Sequence, residues 1–126
     1  LQQLKDENIP VAIGTSAPRS NVDYVLAHTK LEKYFSVILD ESHVTHGKPH
    51  PEIYLKVAEQ LGFEPARCIV FEDSLSGVEA ARRAGAKVVG VTTTHSADEL
   101  SHTDLVINDF SKLKPASLIE QVLKNI

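Results

Sequence analysis

The chain holds 126 residues, with 13 Lys and Arg against 17 Asp and Glu, a formal charge of −4, and its lone cysteine, Cys68, excludes an internal disulfide or a cysteine-based zinc cage. A chain of this length buries roughly two-thirds of the surface it exposes when unfolded, so one domain can stand without staples, and cysteine scarcity fits a reducing, cytoplasmic setting. Mild acidity argues against nucleic acid as a partner, and no apolar stretch nears the roughly 18 residues of a membrane helix, which argues against a membrane.

The chain opens at Leu1, without a methionine, in what reads as the end of a polar helix from Leu1 to Asn8, an opening that suggests a piece of a longer protein. A β-branched run from Ile9 to Thr15 predicts a first strand. Val22, Val25 and Leu26 then recur at helical spacing, in a helix that Ser20 or Asn21 can cap. Val37 to Leu39 predicts a second strand, and the Ser, His, Gly and Pro content from Asp40 to Pro51 predicts a loop. From Pro51 a third helix carries Ile53, Tyr54, Val57, Ala58 and Leu61 inward until Gly62. A third strand at Cys68 to Phe71 leads through Glu72, Asp73 and Ser74 into a helix bearing Val78, Ala81 and Ala84, which Gly85 ends. Strands at Lys87 to Val91 and Leu105 to Ile107 follow, then a closing helix with Leu118, Ile119, Val122 and Leu123 turned inward. This alternation predicts an α/β domain with a Rossmann-like parallel sheet and flanking helices.

In open parallel sheets, ligands gather at the carboxyl ends of the strands, where loops converge and helix amino termini face anions. Three places qualify. Thr15 and Ser16 offer a hydroxyl and backbone N–H groups to phosphate oxygens, or simply cap a turn. Lys48 stands beside Pro49 and near Pro51, which stiffen its loop, although a lone loop lysine is ordinarily just solvated. Glu72 and Asp73 place two carboxylates at one strand end, where a hard cation such as Mg²⁺ relieves their repulsion, or where Asp73 or Ser74 merely caps a helix. His43, His46 and His50 share one face only if their segment is helical, and Gly47 and Pro49 argue that it is not, so no metal site is expected from them.

In order, Gly14-Thr15-Ser16, then Gly47-Lys48-Pro49-His50-Pro51-Glu52, then Ile69-Val70-Phe71-Glu72-Asp73-Ser74-Leu75-Ser76-Gly77-Val78-Glu79 resemble the haloacid dehalogenase superfamily of phosphohydrolases over nearly the whole chain. The Glu-Asp-Ser form, with Gly90-Val91-Thr92-Thr93 and Asp104-Leu105-Val106-Ile107, looks like its β-phosphoglucomutase-like branch. The resemblance implies phosphatase or phosphomutase chemistry on a small phosphorylated substrate through an aspartyl phosphate. It further implies that Thr15 and the Ser16 amide bind the phosphoryl oxygens, that Lys48 bridges nucleophile and phosphoryl group, and that Asp73, helped by Glu72, holds Mg²⁺.

The family's first motif, an apolar strand ending Asp-x-Asp-Gly, does not occur in these residues, nor does the helical cap that follows it. Asp40-Glu41 and Asp104 follow strands but lack the second aspartate and the glycine. Residues 1–126 therefore read as a partial catalytic core that lacks its nucleophile and is inactive by itself. The resemblance places that family's first strand between the first and third strands found here, so the expected outcome is either closure of the gap or pairing of bare strand edges with another chain, as in a homo-oligomer. Two rivals stand beside this reading. A signalling receiver, a non-catalytic α/β interaction module, brings its acidic pair before its hydroxyl and lysine, the reverse of the order here. A degenerate phosphatase relative retained for binding is the other.

Overall fold

The β-branched runs become strands of three to five residues, too short to stand alone, and the segments of helical period become helices of ten or eleven. A computed structural model describes residues 1–93, 95–110, 118, 119 and 122. In chain order these form α1 (Gln2–Asp6), β1 (Ala12–Gly14), α2 (Arg19–Thr29), β2 (Val37–Leu39), α3 (Glu52–Leu61), β3 (Ile69–Glu72), α4 (Leu75–Ala84), β4 (Lys87–Val91) and β5 (Leu105–Ile107). Single 3₁₀ turns sit at Glu32–Tyr34, Glu41–His43 and Pro65–Arg67. Among the described residues no helix is long and apolar enough to cross a membrane.

Among the described residues the strand pairs are all parallel, but they fall into two sheets, β1–β2 and β3–β4–β5. No ladder joins β1 to β3 among the described residues, so the expected gap is left open by the chain itself. Helices bridge it instead: α3 packs on β1 and β2 and against α4, which lies on β3 and β4. One apolar cluster runs through this layer, from Leu39 through Ile53 and Tyr54 to Val78, Ala81, Val88 and Leu100. Because side chains alternate along a strand, Val88 joins that cluster while Val89 faces a second one with Leu118 and Val122.

Several expectations shift locally. β1 is shorter than Ile9 to Thr15, yet its pairing runs on through Ser36 N–H to the Val11 carbonyl at 2.9 Å and Thr15 N–H to the Leu39 carbonyl at 3.0 Å. Helix α2 starts at Arg19 rather than after Ser20 or Asn21, because Pro18 stands in extended conformation and its carbonyl already accepts the Asn21 and Val22 N–H groups. Val22 and Leu26, four apart, are buried, but Val25 lies on the open side of that helix. Leu118 and Val122 face inward as expected, Ile119 is exposed, and Leu123 lies outside the described residues. Asp104 precedes β5 instead of following a strand, and its carboxylate accepts the Val88 N–H at 2.8 Å. Gly62 and Gly85 end α3 and α4 with φ of 83° and 89°, the left-handed conformation that glycine adopts without penalty.

Candidate active site

Strands that run parallel deliver the residues after them to one rim, and three chain segments meet there. Thr15 follows β1, and its hydroxyl accepts the Ala17 N–H at 3.1 Å, shaping the turn that carries Ser16. Thr15, Ser16, Gly47 and Lys48 line one cleft of about 370 Å³, with Ile53 and Glu41 beside them. A larger groove of about 530 Å³ lies at the opposite ends of β1 and β2, against Pro10, Val11, Ser36 and Val37, and no carboxylate lines it.

The loop that brings Lys48 to this rim is tied at both ends. Asp40, at the end of β2, is 2% exposed. Its carboxylate accepts the Ser42 N–H at 2.8 Å, its own N–H donates to His43 Nδ1 at 2.9 Å, and Arg19 Nη1 stands 3.8 Å away. The Ser42 hydroxyl bond leads the effects that hold the Asp40 pKa below its ordinary value, against its burial. At the other end the Glu52 carboxylate accepts N–H groups from Thr45 and His46 at 2.9–3.1 Å and pairs with Lys56 at 3.1 Å. Those backbone bonds lead the effects that bring the Glu52 pKa to about 2. The Lys48–Pro49 peptide between the two anchors is cis.

Lys48 reaches across the break in the sheet. Its ammonium donates to the Gly14 carbonyl at the end of β1 at 3.4 Å and to Glu72 Oε2 at the end of β3 at 3.0 Å. It also lies 4.9 Å from the centre of the Tyr54 ring, within range of a cation–π attraction. The two charged side chains are only 11% and 10% exposed. A pair so enclosed is costly to break, because removing one partner strands the other charge away from water.

Glu72 and Asp73, adjacent in sequence, have different settings. Glu72 is turned inward: Oε2 accepts the Tyr54 hydroxyl at 2.6 Å as well as Lys48, and Oε1 accepts the Asp73 and Ser74 N–H groups and the Ser74 hydroxyl at 3.1–3.3 Å. Burial raises its pKa, but the Tyr54 bond and the Lys48 charge outweigh that and hold it below the ordinary range. Burial first, and then the Glu72 charge, drives the Tyr54 phenol far above its usual pKa. Gly77 makes room for this arrangement, since a Cβ there would collide with the Glu72 carboxyl group. Asp73 instead accepts the Thr93 hydroxyl at 2.9 Å. Ser74, rather than Asp73, caps α4, its hydroxyl accepting the Gly77 N–H at 3.0 Å.

The structure thus gathers Thr15, Ser16 and Lys48 in one cleft and joins Lys48 to Glu72, with Asp73 next to it in the chain. Sequence reasoning missed Tyr54, counted as a core residue by its spacing, and the Gly14 carbonyl. It also missed Asp40 as the buried anchor of the lysine loop. His43 is engaged by Asp40 and stays apart from His46 and His50. Burial pushes the Cys68 thiol up, in keeping with a packed rather than reactive side chain.

Comparison with known proteins agrees with this geometry. The profile of the haloacid dehalogenase-like hydrolase family matches residues 1–91. A phosphorylated carbohydrates phosphatase of Thermotoga maritima is 44% identical over 100 residues, covering 79% of this chain and 45% of that protein. A family IA, variant 3 hydrolase of the same superfamily from Entamoeba histolytica superposes with a TM-score of 0.90 at 34% identity, covering 98% of this chain and 57% of that one. The β-phosphoglucomutase of Clostridium difficile gives 0.84 at 30% identity, covering 95% and 52%. The chain spans about half the length of such relatives. With the profile matched over most of its length and the motif residues assembled at one rim, the chain belongs to the haloacid dehalogenase-like hydrolases.

Proposed function

We propose that residues 1–126 are a partial catalytic core, supplying the phosphate-binding and cation-binding rim of a Mg²⁺-dependent phosphatase or phosphomutase for small phosphate esters. The observation that carries this reading is the enclosed Lys48 ammonium, placed between Glu72 and the cleft that Thr15 and Ser16 line. Phosphoryl transfer is catalysed mainly by positioning and by neutralising charge on the equatorial oxygens, and a charge shielded from water does this more strongly. The Thr15 hydroxyl and Ser16 N–H would hold those oxygens and Lys48 would bridge them to the nucleophile. Glu72 positions the lysine through their ion pair.

The all-oxygen donor set at the end of β3 fits a hard cation. Asp73 would hold Mg²⁺, with the inward-turned Glu72 fixing the backbone beside it, and the ion when bound would offset phosphoryl charge. The covalent step, in which a carboxylate oxygen bonds to phosphorus while the ester oxygen leaves and takes a proton, needs an Asp-x-Asp-Gly segment that these 126 residues do not contain. The chain alone is therefore expected to turn over no phosphate ester. The single cysteine is in keeping with a cytoplasmic setting.

The experiment is a titration of the ¹⁵N-labelled chain with inorganic phosphate and, separately, with Mg²⁺. Phosphate should move the Thr15, Ser16 and Lys48 amides and Mg²⁺ the Asp73 and Thr93 amides, and Lys48→Ala should abolish the first response. Shifts confined to other surfaces would overturn the reading, and turnover of a phosphate ester with Mg²⁺ would overturn the inactive part of it. A second reading, a module that pairs with another chain, is favoured by the edges of β1 and β3, which have no strand partner across the gap among the described residues. It expects a dimer on size-exclusion chromatography, and a monomer at every concentration would remove it.

A further inference from the structure

The motif segment His46-Gly47-Lys48-Pro49-His50 holds two imidazoles for which the phosphate-handling reading has no use. The sequence argued against a metal site here because the segment is not helical, and it is not. A turn nonetheless does what a helix would have done. His50 N–H donates to the Gly47 carbonyl at 3.0 Å, folding the segment back on itself, and the His46 and His50 rings stack with centres 4.7 Å apart and planes 24° from parallel. Glu52 completes a triangle: one ligand atom from each of the three side chains lies within 4.8 Å of the others, and His46 Nδ1 is 3.5 Å from Glu52 Oε1.

Three features make this more than a crowd of polar groups. The carboxylate is held still by the Thr45 and His46 N–H groups and Lys56, so little ordering is left to do. Two of the three ligands are nitrogen, which suits a borderline ion such as Zn²⁺ and not Mg²⁺, whose preference is for oxygen. Both rings are exposed, so an ion can enter. Ligands of a tetrahedral Zn²⁺ stand about 3.3 Å apart, a spacing that follows from metal–ligand bonds of about 2.0–2.1 Å, so the rings need only close by a small rotation. The Glu52 N–H bond to His50 Nδ1, 3.1 Å long, is the contact that a metal on that nitrogen would displace.

We propose that His46, His50 and Glu52 form a site for a transition-metal ion of the Zn²⁺ class, separate from the carboxylates at the end of β3, and that the bound ion clamps the loop carrying Lys48. The ion staples residues 46 and 50 to the first turn of α3, and Lys48 lies between the two staples. Nothing in this depends on which phosphate ester the rim serves, or on whether it serves one.

The test is calorimetric titration of the intact 126-residue chain with Zn²⁺ in the presence of excess Mg²⁺. One equivalent should bind, His46→Ala and His50→Ala should each weaken binding at least ~10-fold, and Glu52→Gln should weaken it while keeping an acceptor for the loop N–H groups. His28→Ala, at a histidine outside this loop, and Asp73→Asn should leave the Zn²⁺ affinity unchanged. Hydrogen exchange of the Gly47 and Lys48 amides should slow with Zn²⁺ in the parent chain and not in His50→Ala, whose own fold is checked by circular dichroism. Absence of Zn²⁺ binding, or affinity indifferent to His46 and His50 but lost in Asp73→Asn, overturns the site. Binding with no slowing of exchange overturns the clamp.

Discussion

β4 and the strands that flank the sheet break, β1 and β3, share the same parallel pairing, yet they are buried to different degrees. β4 is hydrogen-bonded on both sides and is buried from Val88 to Val91, while β1 and β3, each paired on one side, are only partly covered along their whole length. An apolar composition does not by itself bury a strand, since Ile69-Val70-Phe71 in β3 is only partly covered. A strand is shielded by its neighbours in the sheet as much as by the helices above it, and the gap removes that shielding from two strands at once.

This contrast can be broken most directly by cavity mutations. Leu100 is fully buried over the three-stranded sheet, and Leu100→Ala should cost about 2–5 kcal/mol, whereas Ile13→Ala in the partly covered β1 should cost distinctly less, both read from urea unfolding. Equal losses would mean that the two sheets are equally well packed. The junction between them comes next. Tyr54→Phe removes the hydroxyl from Glu72 and should lower stability by about 1–3 kcal/mol, the cost of leaving a shielded acceptor short of a donor.

The smallest effect is the dependence on pH. Glu72 has a folded-state pKa below its ordinary 4.5, so its contribution is complete above that value and is lost as pH falls through the lower folded value. The Glu52 window runs from 4.5 down to about 2. Urea midpoints should therefore fall with acidification below about 4.5, and less steeply in Glu72→Gln. A midpoint unchanged in that range would show that neither carboxylate stabilises the fold.

Much of this was legible in the sequence because period and capping act locally. Helices α3 and α4 end at Gly62 and Gly85 as their patterns predict, and the order hydroxyl, lysine, acidic pair marked the rim. What the sequence concealed is tertiary. Adjacent carboxylates at 72 and 73 read alike, and only Tyr54 and Lys48, distant in the chain, turn the first inward and give it a different task. The stacking of His46 on His50 was hidden too, since a turn brings residues four apart together without a helix. The start of α2 was misplaced because Pro18 needs no side-chain cap to begin it.

Lys48 touches a carbonyl belonging to one sheet and a carboxylate belonging to the other, which makes a single nitrogen the polar hinge pin between them. An anion settling beside it would draw on the same three protons. Occupancy of the cleft and stiffness of the joint are then two readings of one ammonium group, and a ligand would announce its arrival mechanically, by loosening or tightening the seam on the far side of the lysine.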